Sequence, residues 1–460
     1  MQSYAEFLDL SVGFPQEGFE LIDDELYFHD INLMELIETY GTPMRFTYLP
    51  IISKKIRQAK LLFQNAILKA NYRGSYTYCY CTKSSHFRHV LEEALKNDIH
   101  LEASSEFDIP LFEALEKRNL IKKDTMIICN GYKNDSYKEV VVDLIHDGFT
   151  CVIPVLDNKE EFNYYQSELE VPAQLGIRTT IEEVPDFSLY TSRLGVRSDE
   201  IIDFYLSKIK GQENFKVVML HFFINSGIQD TPYYWNELEK IIRLYCRFKK
   251  VNPDLHMLDI GGGMPYKNNL TFSFDYEGVI SELVLRIKQI CEEEGVDEPD
   301  LITEFGSYTV AESSGLLFKV LGRKQQNDRE KWLILDGSLM TTLPDTWALG
   351  ARFMLLPINN LDAEYERVNL GGMTCDHQDY YSQDAHINAI FLPKTRKVQF
   401  LGFFHTGAYQ ENLSGVGGIH HCLIPTPKHV LIRQNKDQTL KYELFMEEQT
   451  STQVLKILGY

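Results

Sequence analysis

The chain has 460 residues, enough for two or three domains, and its 44% hydrophobic, 12% aromatic and 24% charged residues are typical of a globular protein. Its formal net charge of −20 argues against nucleic acid or an anionic membrane as a partner, because both attract basic surfaces. No apolar run is long enough to span a bilayer, and the first residues lack the basic and apolar regions of a secretory signal.

The eight cysteines show no Cys-x-x-Cys pair and no cysteine–histidine spacing of the kind that binds zinc. This usage is typical of a reduced protein whose thiols are mostly buried. We therefore expect a cytoplasmic protein without a metal site.

Strand-like runs recur along most of the chain. Residues 1–41 contain one short run and a helical pattern, and Met44–Leu49 is a second strand-like run. Eight further runs alternate with helical patterns, near residues 75–82, 99–103, 125–130, 149–156, 173–180, 216–224, 256–262 and 301–306. Eight strands in one alternating series predict a closed (β/α)8 TIM barrel, although open doubly wound sheets alternate in the same way.

The pattern changes at about residue 307, after which strands and hairpin-type turns dominate. This change predicts a second, mainly antiparallel β domain. We therefore predict an α/β protein in which residues 42–306 form the barrel, while residues 1–41 and 307–460 form the β-rich domain.

Charged side chains lie at the ends of the predicted barrel strands, where a barrel of this type collects its functional groups. The first such strand ends in Lys83, which on local sequence alone is more typical of an ordinary solvated lysine. The later strands supply Glu102, Arg178, His221, Asp259 and Glu304. If the barrel closes, all of these side chains gather at one rim.

Three consecutive glycines, Gly261, Gly262 and Gly263, follow the seventh predicted strand. Without a Cβ, their backbone N–H groups are able to approach a phosphate, although a tight strand-to-helix turn has the same composition. A lysine able to form a Schiff base, a phosphate-binding loop and a facing carboxylate together favour pyridoxal phosphate as the cofactor.

Two acidic segments of the β-rich domain offer further polar groups. Asp336 follows one strand-like run, and Cys375 and Asp376 lie in a polar loop that begins with two glycines. Taken separately, each segment is more typical of an ordinary solvated turn.

In their order along the chain, these residues resemble the fold-type III pyridoxal-phosphate amino-acid decarboxylases, which act on ornithine, diaminopimelate or arginine. The resemblance identifies Lys83 with the Schiff-base lysine and Glu304 with the acid that pairs with the pyridine nitrogen. It implies that Cys375 is a catalytic cysteine supplied across a dimer interface. The remaining matches are Ser226, Gly261, Gly262, Gly263 and Tyr409 at the phosphate, and Asp336 and Asp376 at the substrate.

Two positions depart from the pattern of this family. Phe223 lies where the family has a histidine that stacks on the cofactor ring; a phenyl ring still stacks but cannot form hydrogen bonds. Ser307 replaces an arginine at the phosphate, so that one positive charge is missing.

The resemblance implies a homodimer with shared active sites that decarboxylates a basic L-amino acid. The stretch around Glu102 resembles biosynthetic arginine decarboxylases, so we expect conversion of L-arginine to agmatine, a step of polyamine biosynthesis. Diaminopimelate, ornithine, lysine or a carboxylated polyamine are alternative substrates. Two alternatives of other classes are a catalytically weak homologue that acts by binding a partner, and a barrel that acts on a phosphorylated substrate without pyridoxal phosphate.

Overall fold

The computed structural model describes residues 3–181, 192–381 and 389–460. Its strands are β1 (Phe19–Ile22), β2 (Glu25–Phe28), β3 (Ile31–Asn32), β4 (Met44–Tyr48), β5 (Tyr76–Cys81), β6 (His100–Ala103), β7 (Ile127–Cys129), β8 (Val152–Leu156), β9 (Ala173–Arg178), β10 (Phe215–His221), β11 (Met257–Asp259), β12 (Asp300–Phe305), β13 (Ser314–Gln325), β14 (Lys331–Leu335), β15 (Met354–Pro357), β16 (Tyr365–Gly371), β17 (Tyr380–Tyr381), β18 (Ile390–Pro393), β19 (Phe400–Phe404), β20 (Lys428–Gln434) and β21 (Leu440–Met446). Its α-helices are α1 (Tyr4–Val12), α2 (Leu33–Tyr40), α3 (Pro50–Ala70), α4 (Arg88–Ala94), α5 (Asp108–Glu116), α6 (Asp135–His146), α7 (Glu161–Glu168), α8 (Ile201–Phe204), α9 (Pro232–Val251), α10 (Tyr276–Glu294), α11 (Ser307–Val310), α12 (Leu339–Thr342), α13 (Pro344–Leu349), α14 (Gln410–Ser414) and α15 (Ser451–Ile457). Among these helices, none combines the length and apolarity that a bilayer crossing requires.

The chain forms two compact units. The sheet unit comprises Met1–Ile51, Tyr266–Ser273 and Val310–Tyr460, and the barrel unit comprises Ile52–Pro265 and Phe274–Thr309. Strand β4 belongs to the sheet unit, and the barrel unit begins after this strand, at Ile52. The barrel predicted from the sequence begins before β4, at residue 42.

The barrel unit is built on strands β5 to β12, which pair in parallel and close into a barrel when β12 pairs with β5. This confirms the predicted (β/α)8 fold. The strands are rich in buried apolar residues because a parallel sheet is covered on both faces. The interior core contains Cys79, Ile128, Ile153, Val155, Val218, Met219 and Ile302. Since all eight strands point the same way, their carboxyl ends meet at one rim.

The sheet unit contains a ten-stranded sheet and the small antiparallel sheet β1–β3. Most pairs of the large sheet are antiparallel, as predicted, and β20 and β21 form an antiparallel hairpin. Strand β4 pairs with β13 and, in parallel, with β20. Its burial along the whole strand explains why it resembles a barrel strand in sequence.

A fully buried ion pair stabilises the barrel unit. Lys133 Nζ lies 2.9 Å from Glu161 Oε1, with both side chains at most 1% exposed. Lys133→Met leaves the Glu161 carboxylate buried without its cation, so we expect the free energy of unfolding to fall by about 3–5 kcal/mol. The midpoint of urea unfolding measures this change.

The matched control is Lys159→Met. Lys159 Nζ lies 2.8 Å from Glu200 Oε2, but both side chains are about two-fifths exposed and water screens the pair. We expect its urea midpoint to stay close to that of the wild type. Equal midpoints for the two variants would contradict the stabilising role of the buried pair.

Candidate active site

Lys83 lies directly after β5, in a 3-10 turn formed by Thr82–Ser84. The single hydroxyl hydrogen of Thr82 is shared between the Glu102 carbonyl oxygen and Asp108 Oδ1, each 2.9 Å from Thr82 Oγ1, and this contact fixes the turn against β6. The Lys83 side chain is 47% exposed, and its Nζ lies 3.6 Å from Glu102 Oε2. The turn therefore presents the amine of Lys83 at the barrel rim, beside a carboxylate.

Asn130 connects this carboxylate to a second one across the rim. The residue follows β7 directly, and its Nδ2 donates to Glu102 Oε1 at 3.2 Å and to Glu304 Oε1 at 2.7 Å. Burial raises the pKa of Glu102, while Lys83 opposes that shift. The rim thus contains a continuous polar path from Lys83 to Glu304.

Glu304 carries the negative charge of a buried cluster with His221 and Asp259. Burial by itself raises the pKa of Glu304, but His221, whose Nε2 lies 3.4 Å from Glu304 Oε2, together with Asp259 and Lys83, lowers it to about 2. The pKa of Asp259 is instead well above its usual range because of burial and the neighbouring Glu304. Within this pair the negative charge is therefore favoured on Glu304 and the proton on Asp259.

The predicted phosphate loop packs backbone against backbone with the turn that follows β10. A Cβ on Gly227 would lie 2.5 Å from the Gly263 carbonyl oxygen, and one on Gly263 would lie 2.6 Å from Gly227 Cα. The Ile228 N–H donates to the same Gly263 oxygen at 2.9 Å. Only glycines permit this approach, and Ser226 is exposed in the adjoining turn.

The unusual residues Phe223 and Ser307 lie beside these elements. The half-buried Phe223 side chain packs over Gly261, since a Cβ on that glycine would lie 3.1 Å from Phe223 Cδ2. Ser307 is the first residue of α11, two residues after the end of β12, the strand that carries Glu304. Arg178, the last residue of β9, is within electrostatic reach of Glu304; burial lowers the pKa of its guanidinium and Glu304 opposes the shift.

The barrel rim fits pyridoxal phosphate. Backbone N–H groups next to glycines suit a phosphate, and Glu304 supplies an ionised acid for a protonated ring nitrogen. Asn130 Oδ1 is buried without a hydrogen-bond partner among the described residues, which is the condition expected of a group that binds a ligand. Lys83 offers a primary amine on the same rim.

In the sheet unit, the loop between β16 and β17 holds Cys375 and Asp376. The loop is anchored by Asp379, whose buried carboxylate accepts hydrogen bonds from the N–H groups of Leu339 and Met340 at 2.9 and 3.0 Å and from Thr374 Oγ1 at 2.8 Å. Cys375 is exposed at this loop.

The two predicted substrate acids differ in their surroundings. Asp336 Oδ2 accepts a hydrogen bond from Thr42 Oγ1 at 2.6 Å and its Oδ1 accepts one from the Lys319 N–H at 2.8 Å. Burial raises the pKa of Asp336, and these hydrogen bonds oppose the shift. The Asp376 side chain is 28% exposed; its Oδ1 accepts a hydrogen bond from the Gln378 N–H at 2.8 Å, and its Oδ2 lies 3.2 Å from His421 Nε2.

Tyr409 stands in an uncommon backbone conformation, with φ 65° and ψ −33°, at the start of α14. A non-glycine residue with positive φ is unfavourable, and such residues often occur at functional sites. Two residues earlier, Gly407 packs so closely that a Cβ would lie 2.1 Å from the Val310 carbonyl oxygen. The fold therefore fixes the segment that positions Tyr409.

Three residues at the barrel rim and the Cys375 loop were not predicted from the sequence. Asn130 gave one usable signal, because it is the last residue of a predicted barrel strand. Asp379 lies within the polar loop that the sequence singled out, but its anchoring bonds depend on α12, some forty residues away. Cys422, whose Sγ lies 3.6 Å from Cys375 Sγ, gave no signal at all.

Comparison with known proteins finds relatives that match this chain over most of its length. A biosynthetic arginine decarboxylase of Citrifermentans bemidjiense is 23% identical, over 91% of this chain and 84% of the relative. The crystal structure of the biosynthetic arginine decarboxylase SpeA from Campylobacter jejuni has a TM-score of 0.81 at 19% identity and covers 100% of this chain and 91% of that one. The diaminopimelate decarboxylase of Helicobacter pylori, complexed with L-lysine, has a TM-score of 0.72 at 18% identity, with 91% and 97% covered.

The family model of the pyridoxal-dependent decarboxylases, for their pyridoxal-binding domain, matches residues 53–311. This range includes the rim with Lys83, Asn130 and Glu304 as well as the glycine loop. The chain therefore belongs to the pyridoxal-dependent decarboxylases, as the resemblance predicted.

Proposed function

We propose that this protein converts L-arginine to agmatine with pyridoxal phosphate attached to Lys83. The observation that carries the proposal is the polar path at the barrel rim, which connects the Lys83 amine through Glu102 and Asn130 to the ionised Glu304. The choice of arginine rests on the arginine decarboxylases that are similar to this chain over 91% of its length.

Several residues would hold the cofactor. Lys83 would bind it covalently, and Ser226 with the backbone of Gly261, Gly262 and Gly263 would hold its phosphate together with Tyr409. Phe223 would stack on its ring. When bound, pyridoxal phosphate supplies an electron sink for the pair left behind as carbon dioxide departs.

The chain's own acids and thiol control the protons of the reaction. Glu304, ionised at neutral pH, would keep a proton on the pyridine nitrogen. Cys375 would return a proton to the substrate Cα. A hydrogen bond with Cys422 raises the pKa of the Cys375 thiol, so the thiol keeps the proton that such a donor needs.

Asp376 and Asp336 would favour a cationic side chain in the substrate. Both carboxylates already have partners within the sheet unit, Thr42 and Lys319 for Asp336 and Gln378 and His421 for Asp376, so we assign the attraction to the two acids together. A neutral side chain gains nothing from these carboxylates.

The test is carbon dioxide release from a panel of L-arginine, L-ornithine, L-lysine and diaminopimelate, with neutral L-amino acids alongside. We expect the highest kcat/KM with L-arginine and agmatine as the product. A preference for another basic amino acid would overturn the choice of arginine, and a preference for a neutral one would overturn the roles of Asp336 and Asp376. Cofactor binding without carbon dioxide release from any of them would favour a homologue that acts by binding a partner.

We further propose that the active enzyme is a cytoplasmic homodimer in which Cys375 serves the active site of the partner subunit. Exposed apolar side chains occur on several segments of the sheet unit: the Cys375 loop, the segment around Cys422 that contacts it, and α13 and α14, which the hydrogen bond from the Asp345 N–H to Gln410 joins. They are Trp347, Leu349, Met373, Leu413, Ile419 and Leu423. An apolar surface of this kind favours a covering protein, and a second copy of the chain provides one.

Mixing two inactive variants tests the shared sites. Lys83→Ala and Cys375→Ala subunits should restore roughly a quarter of the wild-type activity at equal mixing, because about half the dimers are hybrids with one native site each. Carbon dioxide release measures the recovery, and two different affinity tags verify that subunits exchange. No recovery among exchanged subunits would contradict a site built from both chains.

A further inference from the structure

Two exposed cysteine thiols of the sheet unit are in contact. Cys375 lies in the loop after β16 and Cys422 in a short 3-10 turn, and their Sγ atoms are 3.6 Å apart. Both are free thiols. A further thiol pair among the described residues, Cys246 and Cys291 at 3.9 Å, is buried in the barrel unit. Of these two pairs, only the first is exposed on the surface of the single chain.

The backbone on both sides keeps the first pair together. Asp379 anchors the Cys375 loop through hydrogen bonds to α12. On the other side, Cys422 and Leu423 both have positive φ angles, 54° and 55°, which non-glycine residues adopt only where the surrounding structure holds them. A second contact, His421 Nε2 to Asp376 Oδ2 at 3.2 Å, joins the residues next to the two cysteines. The sulfurs therefore meet through a defined arrangement of both segments.

We propose that Cys375 and Cys422 form a reversible disulfide that switches the enzyme off under oxidising conditions. The modification site follows from the geometry of the thiols. Its effect on activity rests on the proposed function, in which Cys375 is the proton donor. A disulfide takes both the proton and the free sulfur from Cys375.

The oxidant is a peroxide, and the reaction balances in two steps. The Cys422 sulfur attacks hydrogen peroxide, the O–O bond breaks, and a sulfenic acid and one water form. The Cys375 sulfur then attacks the Cys422 sulfur and loses its proton, and the hydroxyl group leaves as a second water. Two thiols are oxidised by two electrons in total, which reduce the peroxide. We assign the first step to Cys422. The hydrogen bond between the two thiols raises the pKa of Cys375, which disfavours the Cys375 thiolate as the attacking group.

A peroxide molecule is smaller than any amino-acid substrate, so every path that admits the substrate to Cys375 also admits the oxidant. The two sulfurs have to approach each other from 3.6 Å to bonding distance, about 2 Å, and both belong to exposed turns of the same unit. The disulfide therefore forms within one subunit and requires no exchange of chains.

Peptide mapping of the cofactor-loaded enzyme tests the modification. After brief treatment with hydrogen peroxide and alkylation, trypsin should yield a linked pair of peptides, residues 368–394 joined to residues 398–428, each of which contains one cysteine. The linked pair should disappear with dithiothreitol. It should be absent from Cys422→Ser and Cys422→Ala, and should form normally in the control Cys151→Ser, which removes a half-exposed thiol of the barrel unit.

Activity provides the second readout. Carbon dioxide release by the oxidised wild type should fall at least about 100-fold, the lower range for loss of a general acid, and dithiothreitol should restore it. Relative to its own untreated activity, Cys422→Ser should show no loss after peroxide that dithiothreitol reverses. If no linked peptides form after peroxide treatment, and the two cysteines are found either free or separately oxidised, the proposed modification site is wrong. A fully linked enzyme that remains active would overturn the switch and the proposed role of Cys375, while cofactor attachment at Lys83 would stand.

Discussion

Lys83→Ala is expected to lose both the covalent attachment of pyridoxal phosphate and the release of carbon dioxide. Lys83 is the lysine that the fold places at the rim beside Glu102, on the path that leads to Glu304. No other side-chain type provides a primary amine for the cofactor, so we expect activity to fall by at least about 10²–10⁴-fold. The measurements are carbon dioxide release and the visible absorbance band of a lysine-bound pyridoxal group.

Lys216→Ala is the matched control. Lys216 lies near the start of β10, at the opposite end of a barrel strand, and its Nζ is 3.3 Å from Asp254 with 61% of the side chain exposed. Removing this lysine changes the charge of the protein equally but leaves the rim intact. Equal carbon dioxide release from Lys83→Ala and Lys216→Ala would refute the assignment of the cofactor to Lys83.

Glu304→Gln is expected to lower kcat about 100- to 1000-fold, the range typical for loss of one preorganised charge or donor in an active site. The amide cannot carry the negative charge that keeps a proton on the pyridine nitrogen. The pKa of Glu304 is about 2, so its charge is lost only as the pH falls through that value. In the wild type, Glu304 should therefore cause no loss of activity from about pH 5 to about pH 9.

Asp259→Asn separates the two acids of the buried cluster. Burial and Glu304 keep the pKa of Asp259 well above its usual range, which favours the protonated form, and its Oδ1 accepts a hydrogen bond from the Gly261 N–H at 2.8 Å. An asparagine offers the same acceptor and an N–H donor in place of the acid. We expect this variant to retain most of its kcat, and a loss as large as that of Glu304→Gln would contradict the assignment of charge and proton.

The barrel was predictable because buried parallel strands form apolar runs of recognisable length, as in Ile127–Cys129. The same property explains the displaced boundary at β4, whose burial resembles that of a barrel strand although its partners are β13 and β20. Pairing partners several hundred residues away leave no local signature in the sequence.

The positions of single charged residues at the site were also predictable, but the relations between them were not. Lys83 and Glu304 stand at strand ends that alternation alone locates. The link between them runs through Asn130, which is 174 residues from Glu304, and an asparagine after a strand is common in ordinary turns. Asp336 was predicted as a site residue, but its sequence context gave no sign that both of its oxygens accept hydrogen bonds within the sheet unit.

Borohydride reduction of the cofactor-loaded enzyme, followed by tryptic mapping, tests the central claim most directly. Reduction fixes the cofactor on its lysine and blocks cleavage there, so the label should lie on one peptide, residues 74–88, with Lys83 uncleaved. A label on a different lysine, or no label in protein saturated with pyridoxal phosphate, would contradict the attachment of the cofactor to Lys83.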